Sequence, residues 1–405
     1  MKFAKWFCAG LLAMVFLPNA ARAVDSEGLK FLQLNNRVRF EYDDNIYQTK
    51  NDKIDSFKIL EEVEMLLNFN LENTYVSLRY RPTFTWWQEK YEGKNTEFDN
   101  DFDFVLNQTF SPRLSLSIVD TLRYGKAVVA SDHGDTVIST NSDFYYNTLN
   151  GTVSYLLQPD TRLDVAGRWA GVWYQQSDVA ETENFNDYVG GLTLRQQLTA
   201  KTAVFAEGRL ETIRYEKDVY GDRNSKTYYL GVGADQTFNP KLVGSIDGGY
   251  QHKDFTDSSL TSENAPYGEA SITFLPSPAT RITAGGGYSM YESEAFPYAN
   301  QNRAQIYGSL AHDLTARISL YLTGSYIDSQ YKADQAVKTA YGVRDGSEDA
   351  VQVSARATYK VNRSNWLEAG WEFTDLSSGL KTDAGASIRD SYDENRVDVG
   401  WKTSF

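Results

Sequence analysis

The last eleven residues of the chain, 395–405, read Asn-Arg-Val-Asp-Val-Gly-Trp-Lys-Thr-Ser-Phe. One parity of this stretch is apolar, and it comprises Val397, Val399, Trp401 and Phe405. The other parity is polar or small. Alternation with a period of two is typical of a β-strand that has one apolar and one polar face. The stretch therefore predicts a final strand, whose apolar face contacts either lipid or the core of a soluble β-sandwich.

The chain ends on an aromatic residue of this apolar face. The ending resembles the terminal strand of bacterial outer-membrane β-barrels, which finishes in Phe or Trp and is recognised by the barrel-assembly machinery. The resemblance implies that the protein lies in the outer membrane of a Gram-negative bacterium, in contact with lipid. It also implies that Val397, Val399, Trp401 and Phe405 form the assembly signal. The alternative, a secreted β-sandwich, remains open on this stretch alone.

The first 23 residues have the pattern of a secretory signal peptide. Lys2 and Lys5 precede an apolar run of twelve residues, and residues 21–23 read Ala-Arg-Ala, an A-x-A cleavage site. Twelve residues are too few to span a bilayer as a helix. We therefore predict a cleaved signal peptide over residues 1–23 and a single mature domain over residues 24–405. Cys8, the only cysteine, falls in the cleaved part.

The composition is acidic and rich in aromatic residues. Loss of Lys2, Lys5 and Arg22 lowers the net charge from −14 to −17. Such a charge argues against nucleic acid and against an anionic membrane surface as partners. Mean hydropathy is −0.49, although the chain holds 27 Tyr, 21 Phe and 8 Trp. This combination suits a barrel with a wet lumen and aromatic belts, and it also suits a secreted β-sandwich.

Short turns and longer polar loops alternate along the chain. The short turns, most of which contain Pro, Asn or Asp, fall near residues 72–74, 111–113, 159–161, 199–201, 239–241, 277–280, 314–317 and 362–364. The longer loops fall near residues 44–56, 89–96, 127–141, 178–184, 218–224, 257–264, 295–301, 331–347 and 381–390. An alternation of short and long connections is typical of outer-membrane barrels, which have short periplasmic turns and longer extracellular loops. We therefore predict a single all-β transmembrane barrel of about 18 antiparallel strands. No helical stretch of convincing 3.6-residue periodicity appears.

The apolar parity of each strand runs for about 9–11 residues, as a tilted strand needs to cross a bilayer. Aromatic residues gather at both ends of this band, as in the girdles of outer-membrane barrels. Toward the long loops they are Trp86, Tyr124, Trp173, Tyr215, Tyr250, Tyr288 and Tyr326, and toward the turns Phe69, Phe110, Tyr155, Phe238, Phe274, Tyr359 and Phe405. Glu61 and Asp120 fall on the lipid-facing parity, which predicts a bulge or a misplaced boundary at each.

Charged residues are densest on the inward parity of the first four strands. The dominant sign alternates from strand to strand, and neighbouring strands hold opposing side chains about 5 Å apart. The pattern predicts an ion-pair lattice, which either stiffens the wall or forms a polarised pore lining that aligns a charged or sugar-like solute. Its members are Arg37, Arg39, Glu62, Glu64, Arg79, Arg81, Asp99, Asp101 and Asp103.

Inward charges of both signs need water or partners, and a barrel of about 18 strands is wide enough for an aqueous channel. We therefore predict a pore or exporter for polar solutes. The alternative is a closed structural or adhesive barrel that binds a partner through its extracellular loops. His133, His252 and His312 form no recognisable catalytic group, and no metal, phosphate or nucleotide motif appears, so we expect neither an enzyme nor a cofactor.

Residues 41–47, at the end of the first strand, read Glu-Tyr-Asp-Asp-Asn-Ile-Tyr. A Tyr-Asp-Asp-Asn segment at this place, followed by a polar loop and a hairpin, resembles the putative beta-barrel porin 2 family. The resemblance implies an outer-membrane barrel with a link to exopolysaccharide export. It implies no catalytic or ligand-binding residues.

Changing Phe405 to Ser should impair assembly, because the change removes the aromatic terminus from the lipid-facing parity of the last strand. We expect periplasmic aggregates or degradation products in place of folded protein. The measurement is the amount of folded barrel in the outer-membrane fraction. A normal outer-membrane level of the variant would contradict the prediction.

Overall fold

The computed structural model describes residues 31–91, 94–125, 143–216, 223–293 and 295–405. Its strands are antiparallel, and each one pairs with the next along the chain. The first strand also pairs with the last, so that the 18-stranded sheet closes into a barrel. The predicted fold class, a closed antiparallel barrel, is confirmed.

The strands are 12 to 18 residues long. Their bounds are β1 Leu32–Asp43, β2 Ser56–Asn70, β3 Thr74–Tyr91, β4 Lys94–Ser111, β5 Leu114–Gly125, β6 Phe144–Gln158, β7 Thr161–Tyr174, β8 Phe185–Thr199, β9 Thr202–Tyr215, β10 Ser225–Asn239, β11 Leu242–Phe255, β12 Glu263–Ser277, β13 Thr280–Glu292, β14 Asn300–Asp313, β15 Ile318–Tyr331, β16 Gly346–Lys360, β17 Asn365–Ser378 and β18 Tyr392–Ser404. Because a tilted strand crosses a bilayer in about 9–11 residues, strands of this length extend beyond the membrane.

The eight short turns lie where the sequence predicts them. Several are held by a side-chain oxygen that accepts the backbone N–H two residues further on, which fixes a tight turn. Asn239 accepts the N–H of Lys241 at 2.8 Å, and Asn362 accepts the N–H of Ser364 at 2.9 Å. The Asn, Ser and Thr residues of these turns therefore act through their side chains as well as through their backbone preferences.

Two of the long loops contain short helices, although no helical stretch of convincing 3.6-residue periodicity appears in the sequence. The helix α1 spans Ser177–Glu183 between β7 and β8, and α2 spans Gln335–Tyr341 between β15 and β16. Each has seven residues, or two turns, which is too short for a 3.6-residue period to be recognised. Of the helices in the described residues, none is long and apolar enough to cross a membrane.

The long loop predicted over residues 89–96 is also wrong. Strand β3 continues to Tyr91 and β4 begins at Lys94, and these two residues are paired. Polar residues that alternate above the membrane are compatible with a continued ladder as well as with a loop, and the sequence alone does not distinguish them. The signal peptide predicted over residues 1–23 and the loop predicted over residues 127–141 lie outside the described residues.

The large apolar side chains lie on the outer face of the barrel. Leu230, Val232 and Ile306 expose 73, 65 and 63% of their surface. Contiguous apolar surface of this kind is unfavourable in water and is what the lipid-facing parity of a membrane barrel requires. Six of the seven loop-side girdle aromatics share this parity. Tyr215 is the exception, because it points inward and donates its hydroxyl to Glu292 at 2.8 Å.

The register is regular at Glu61 and Asp120, so the bulges expected there are absent. Glu61 lies opposite Phe84, and Asp120 lies opposite Leu149, all on the outer face. The two carboxylates are therefore outward-facing residues rather than errors of boundary. Each accepts a hydrogen bond from an asparagine on the next strand, which replaces part of its lost hydration.

The seam between β1 and β18 is fastened at both ends. On the turn side, the N–H of Phe405 donates to the carbonyl of Leu34 at 2.8 Å. On the loop side, the Asp44 carboxylate accepts the backbone N–H of Asn395 at 2.7 Å and its side-chain amide at 3.0 Å. The Asn45 side chain donates across the seam to the carbonyl of Asp393 at 2.9 Å. The Tyr-Asp-Asp-Asn segment, residues 42–45 at the end of β1, thus joins the first strand to the last.

Arginine substitutions should distinguish the two faces of the wall. Arginine at Leu116, Val165 or Leu320 enters the bilayer, and each change should cost about 2–4 kcal/mol of folding free energy. The control variants place arginine one residue along, at Ser115, Ala166 or Ser319, where the side chain enters the lumen and the cost should be far smaller. Urea unfolding in lipid vesicles measures both sets. Equal costs at both parities would refute the assignment of faces.

Candidate functional site

The lumen is narrowed at the loop end by α1. Its residues Val179 and Ala180 pack against inward-facing side chains of neighbouring strands, among them Val172 and Phe185, which are almost fully buried. Arg223 lies beside the same cluster, because its guanidinium is 4.1 Å from the ring centre of Tyr215, which also packs there. The loop between β7 and β8 therefore folds onto the inner wall rather than away from the barrel.

The second cap lies at the loop end of β14 to β17 and includes α2. Tyr298 and Leu380 are fully buried there, together with Val337 of α2. The Tyr298 hydroxyl donates to the carbonyl of Arg344 at 2.7 Å, and burial raises the pKa of Tyr298 to about 12. The backbone N–H of Ala333 donates to the carboxylate of Asp345 at the other end of the same loop, at 2.9 Å, which orders the cap further.

The nine charged residues predicted for the first four strands all lie on the inner face, on the parity opposite the exposed apolar side chains. They form pairs between neighbouring strands. Glu62 of β2 receives Arg37 at 3.2 Å and Arg39 at 2.7 Å from β1. On the next pair of strands, Arg79 Nε lies 2.6 Å from the Asp103 carboxylate.

The remaining members of this set extend the same pattern. Arg81 Nε lies 3.2 Å from the Asp101 carboxylate, and Asn35 donates to Glu64 at 2.7 Å. Asp99 lines the same recess of the lumen as Arg81. Charges of alternating sign on adjacent strands are thus brought within contact distance. Whether they line an open path for ions stays a prediction.

Ion pairs also bridge strands that are not neighbours, which is possible only on the concave side of the sheet. Glu368 of β17 lies 2.6 Å from Arg37 of β1, across the intervening β18. Glu368 also lies 3.6 Å from Arg356, and Arg356 contacts Asp398 at 2.9 Å. A network therefore runs from β16 to β2 over the seam, with Glu368 between two arginines.

Above this network the lumen wall is more deeply buried. Lys58 Nζ lies 3.0 Å from Glu41 and 2.7 Å from Asp43, and 4.3 Å from the ring centre of Trp87. Lys58 and Asp43 expose only 7 and 1% of their surface. A buried lysine needs such partners, because an unpaired charge at this depth costs several kcal/mol.

The opposite wall combines arginine with tyrosine. The Arg209 guanidinium lies 4.6 Å from the ring centre of Tyr229 and 5.4 Å from that of Tyr267. The tyrosine hydroxyls donate to Glu211 at 2.7 Å and to Glu207 at 2.9 Å. Because the hydroxyls are tied to carboxylates, the rings are held against the wall. Cation–π contact and hydrogen bonds together fix this part of the lining.

Glycines make room for other inward rings on this wall. The Phe205 ring lies over Gly233, and the Tyr307 hydroxyl lies over Gly285, at positions where a Cβ atom would clash with them. The rings therefore lie flat along the sheet instead of projecting into the lumen, so they narrow the path less than their size suggests. This arrangement uses glycine for close approach rather than for backbone freedom.

Sequence reasoning missed two features of the lining. The position of Glu368 between Arg37 and Arg356 depends on closure, which brings β17 next to β1 in space but not in sequence. Lys253 and Glu292 form a pair at 2.6 Å, with side chains that are each 3% exposed. Both residues occupy the inward parity near the loop ends of their strands, and that shared parity was the available signal.

Two of the three histidines lie in the described residues. His252 contacts Asn264 at 2.8 Å and Asp254 at 3.0 Å, and His312 contacts Thr280 at 2.9 Å. The two histidines lie at opposite ends of their strands. His133 lies outside the described residues.

Comparison with known families decides the assignment. The family model described as Putative beta-barrel porin 2 matches residues 34–405, which includes every strand from β2 to β18 and most of β1. The chain belongs to this porin family. No curated protein sequence matches this porin significantly.

Solved structures of similar fold include two proteins of Pseudomonas aeruginosa. OccK9 (OpdG) of Pseudomonas aeruginosa matches this porin with a TM-score of 0.50 and 10% identity, over 92% of this chain and 98% of that chain. OccK1 (OpdK) of the same organism gives a TM-score of 0.50 and 10% identity, over 92 and 99%. At this identity the likeness shows the fold alone.

The last strand of this porin presents its apolar parity outward. Val397, Val399, Trp401 and Phe405 expose 47, 55, 47 and 66% of their surface. These side chains are therefore accessible from outside the closed barrel. Their role as an assembly signal stays a prediction.

Replacement of Glu368 by Gln should destabilise the barrel by about 1–3 kcal/mol, because two arginines lose a shared carboxylate that is 10% exposed. The matched control is Glu372→Gln on the inner face of the same strand. The Glu372 side chain is 50% exposed and is paired with Arg396, so its loss should cost less than about 1 kcal/mol. The midpoints of urea unfolding in lipid vesicles measure the cost of each substitution. Equal shifts of the midpoint in the two variants would contradict the proposed network around Glu368.

Proposed function

We propose that the barrel is an outer-membrane pore for polar solutes with a preference for cations. The observation that carries the proposal is a lumen lined by charged side chains of both signs, in which carboxylates outnumber basic groups. Hydrated walls of this kind are typical of water-filled barrels, and 18 strands leave space for an aqueous path. A closed, purely structural barrel has no need of a charged interior, because apolar packing is less costly.

The excess of acidic groups is present on both sides of the lumen. The recess formed by the seam strands and the first strands is lined by nine carboxylates and six basic side chains. The recess on the opposite wall is lined by seven carboxylates and four basic side chains. A narrow path with walls of one net sign concentrates ions of the opposite sign. Cations and neutral polar solutes should therefore pass more readily than anions.

Family membership supports the outer-membrane location, and the band of exposed apolar side chains with aromatic girdles supports it independently. The link to exopolysaccharide export that the resemblance implies stays a prediction. Saccharides are therefore among the solutes to be added in conductance measurements.

A second candidate is a closed barrel that binds an external partner through its loops. The observation in its favour is the pair of ordered caps over the mouth, one containing α1 and the other α2. Single-channel recordings in planar bilayers distinguish the two functions. Stepwise conductance supports the pore, and folded protein that inserts without conductance supports the closed barrel.

Neutralising Arg79 and Arg81 to Gln should raise cation selectivity. The change removes the arginine partner of Asp103 and leaves Asp101 with only Arg123, at 3.9 Å, so the local potential becomes more negative. The shift in reversal potential across a salt gradient should shrink at high salt, because mobile ions screen the wall charges.

The matched control is Lys226→Gln with Lys241→Gln. It also removes two positive charges, one from the outer face and one from a turn. This control should leave the reversal potential close to that of the wild type. A conducting Arg79→Gln, Arg81→Gln channel with an unchanged reversal potential would make these ion pairs purely structural.

A further inference from the structure

The charge of the connections between strands differs between the two ends of the barrel. The connections at the turn end contain five basic and two acidic residues, whereas those at the loop end contain ten basic and 19 acidic residues. The net charge of the connections is therefore positive at one end and negative at the other. The acidic composition of the whole chain conceals this asymmetry along the barrel axis.

The lumen wall shows the same asymmetry. The two acidic recesses reach from the loop end to the middle of the wall. A third recess, beside the turn between β8 and β9, is lined by Arg162, Arg195 and Lys201 but by only one carboxylate, that of Asp235. At the same end, Arg281 lies on the inward parity as the second residue of β13. A path through the barrel thus begins among carboxylates and ends among basic side chains.

Several of these charges have no partner of opposite sign. Asp247 of β11 lies directly opposite Glu269 of β12 on the inner face. Among the described residues, Glu269 accepts only the Tyr307 hydroxyl, at 3.2 Å, and Asp247 has neither a hydrogen bond nor an ion pair. Lys201 and Arg281 also form no ion pair within the described part of the chain. Such unpaired charges attract mobile ions more strongly than paired charges, whose fields largely cancel at a distance.

The two groups of charges are far enough apart to act separately. We call the acidic recesses with Asp247 and Glu269 the acidic zone, and the third recess with the basic residues of the turn end the basic zone. Asp247 lies five residues from the turn end of β11. At about 3.3 Å per residue and a tilt of about 40°, this distance is about 13 Å along the axis. It exceeds the Debye length of about 10 Å at about 0.1 M salt, so the two zones attract ions of opposite sign.

We propose that the pore rectifies ionic current and conducts better when the loop side is at the positive potential. The inference rests on the pore function proposed above. At this polarity cations enter through the acidic zone and anions enter through the basic zone. Each ion first meets charges that attract it, and both kinds of ion accumulate between the zones. At the opposite polarity each ion first meets the zone that repels it, and the region between the zones is depleted of ions.

Single-channel currents in planar bilayers, at potentials of equal size and opposite sign, test the proposal. The instantaneous currents are compared, so that closure of the channel by voltage does not contribute. With Cys8 replaced by Ser, a biotin on Ala316→Cys reports which side carries the turns, because streptavidin added to one compartment binds only there. We expect a current ratio of at least about 1.5 at about 0.1 M salt, and a ratio close to one at about 1 M, where the Debye length is about 3 Å.

Neutralising the turn end should abolish the rectification. The variant Lys201→Gln, Arg281→Gln, Arg317→Gln should conduct with a current ratio close to one, because it removes unpaired charge from the basic zone. The matched control removes three exposed basic side chains from the loop end and should keep or increase the ratio. It is Lys50→Gln, Lys332→Gln, Lys381→Gln.

Neutralising the acidic zone supplies a second comparison. Asp247→Asn with Glu269→Gln should lower both the current ratio and the preference for cations. The control, Glu61→Gln with Asp120→Asn, removes two carboxylates from the outer face and should change neither.

The possible outcomes separate this inference from the pore function itself. Equal currents at both polarities, a larger current with the turn side positive, or an unchanged ratio after the three turn-end substitutions would overturn the rectification and leave the pore function standing. Folded protein that inserts without conductance would refute the pore function, and the rectification with it.

Discussion

The pairing of β1 with β18 is the constraint on which the rest of the structure depends. In a bilayer no water is present to satisfy the N–H and C=O groups of an open sheet edge, and each unpaired group costs several kcal/mol. Closure removes both edges at once. The chain reinforces this seam with side chains as well as with the ladder, because Asp44 and Asn45 bond to residues of the last strand that are about 350 positions away.

Closure also determines the electrostatics of the interior. A flat sheet lets charges meet only on adjacent strands, whereas the concave face of a barrel brings alternate strands within reach. The bridge from Arg37 to Glu368 across β18 is an example. Each inward charge therefore has more possible partners than cross-strand pairing alone provides, and a polar wall can be rigid while it remains hydrated. Rigidity and hydration together are what a selective aqueous path needs.

The barrel is not uniform around its circumference. One wall relies on ion pairs, and the other holds tyrosine and phenylalanine rings flat over glycines. The outer face differs too, since Glu61 and Asp120, four residues inward from the outward aromatics Phe57 and Tyr124, lie on β2 and β5. The mouth is covered by two caps with different helices. A symmetric aqueous cylinder needs none of these differences.

The sequence by itself determined the strand number, the positions of the short turns and the inward face of the nine charged residues predicted for the first four strands. These features depend on local rules, namely alternation with a period of two and turn residues, and they hold along the whole chain. The parity of Arg37, Glu62, Arg79 and Asp103 could therefore be predicted without any contact information.

Only the tertiary structure decided which charges meet, how the loops fold and where Glu61 and Asp120 face. The partners of Glu368 depend on closure between strands at the two ends of the chain, which no local pattern encodes. The helices α1 and α2 are too short to show a period, and they are stabilised by packing on inward side chains of the mouth. Glu61 and Asp120 could not be interpreted locally, because their asparagine partners lie on neighbouring strands more than 20 residues away.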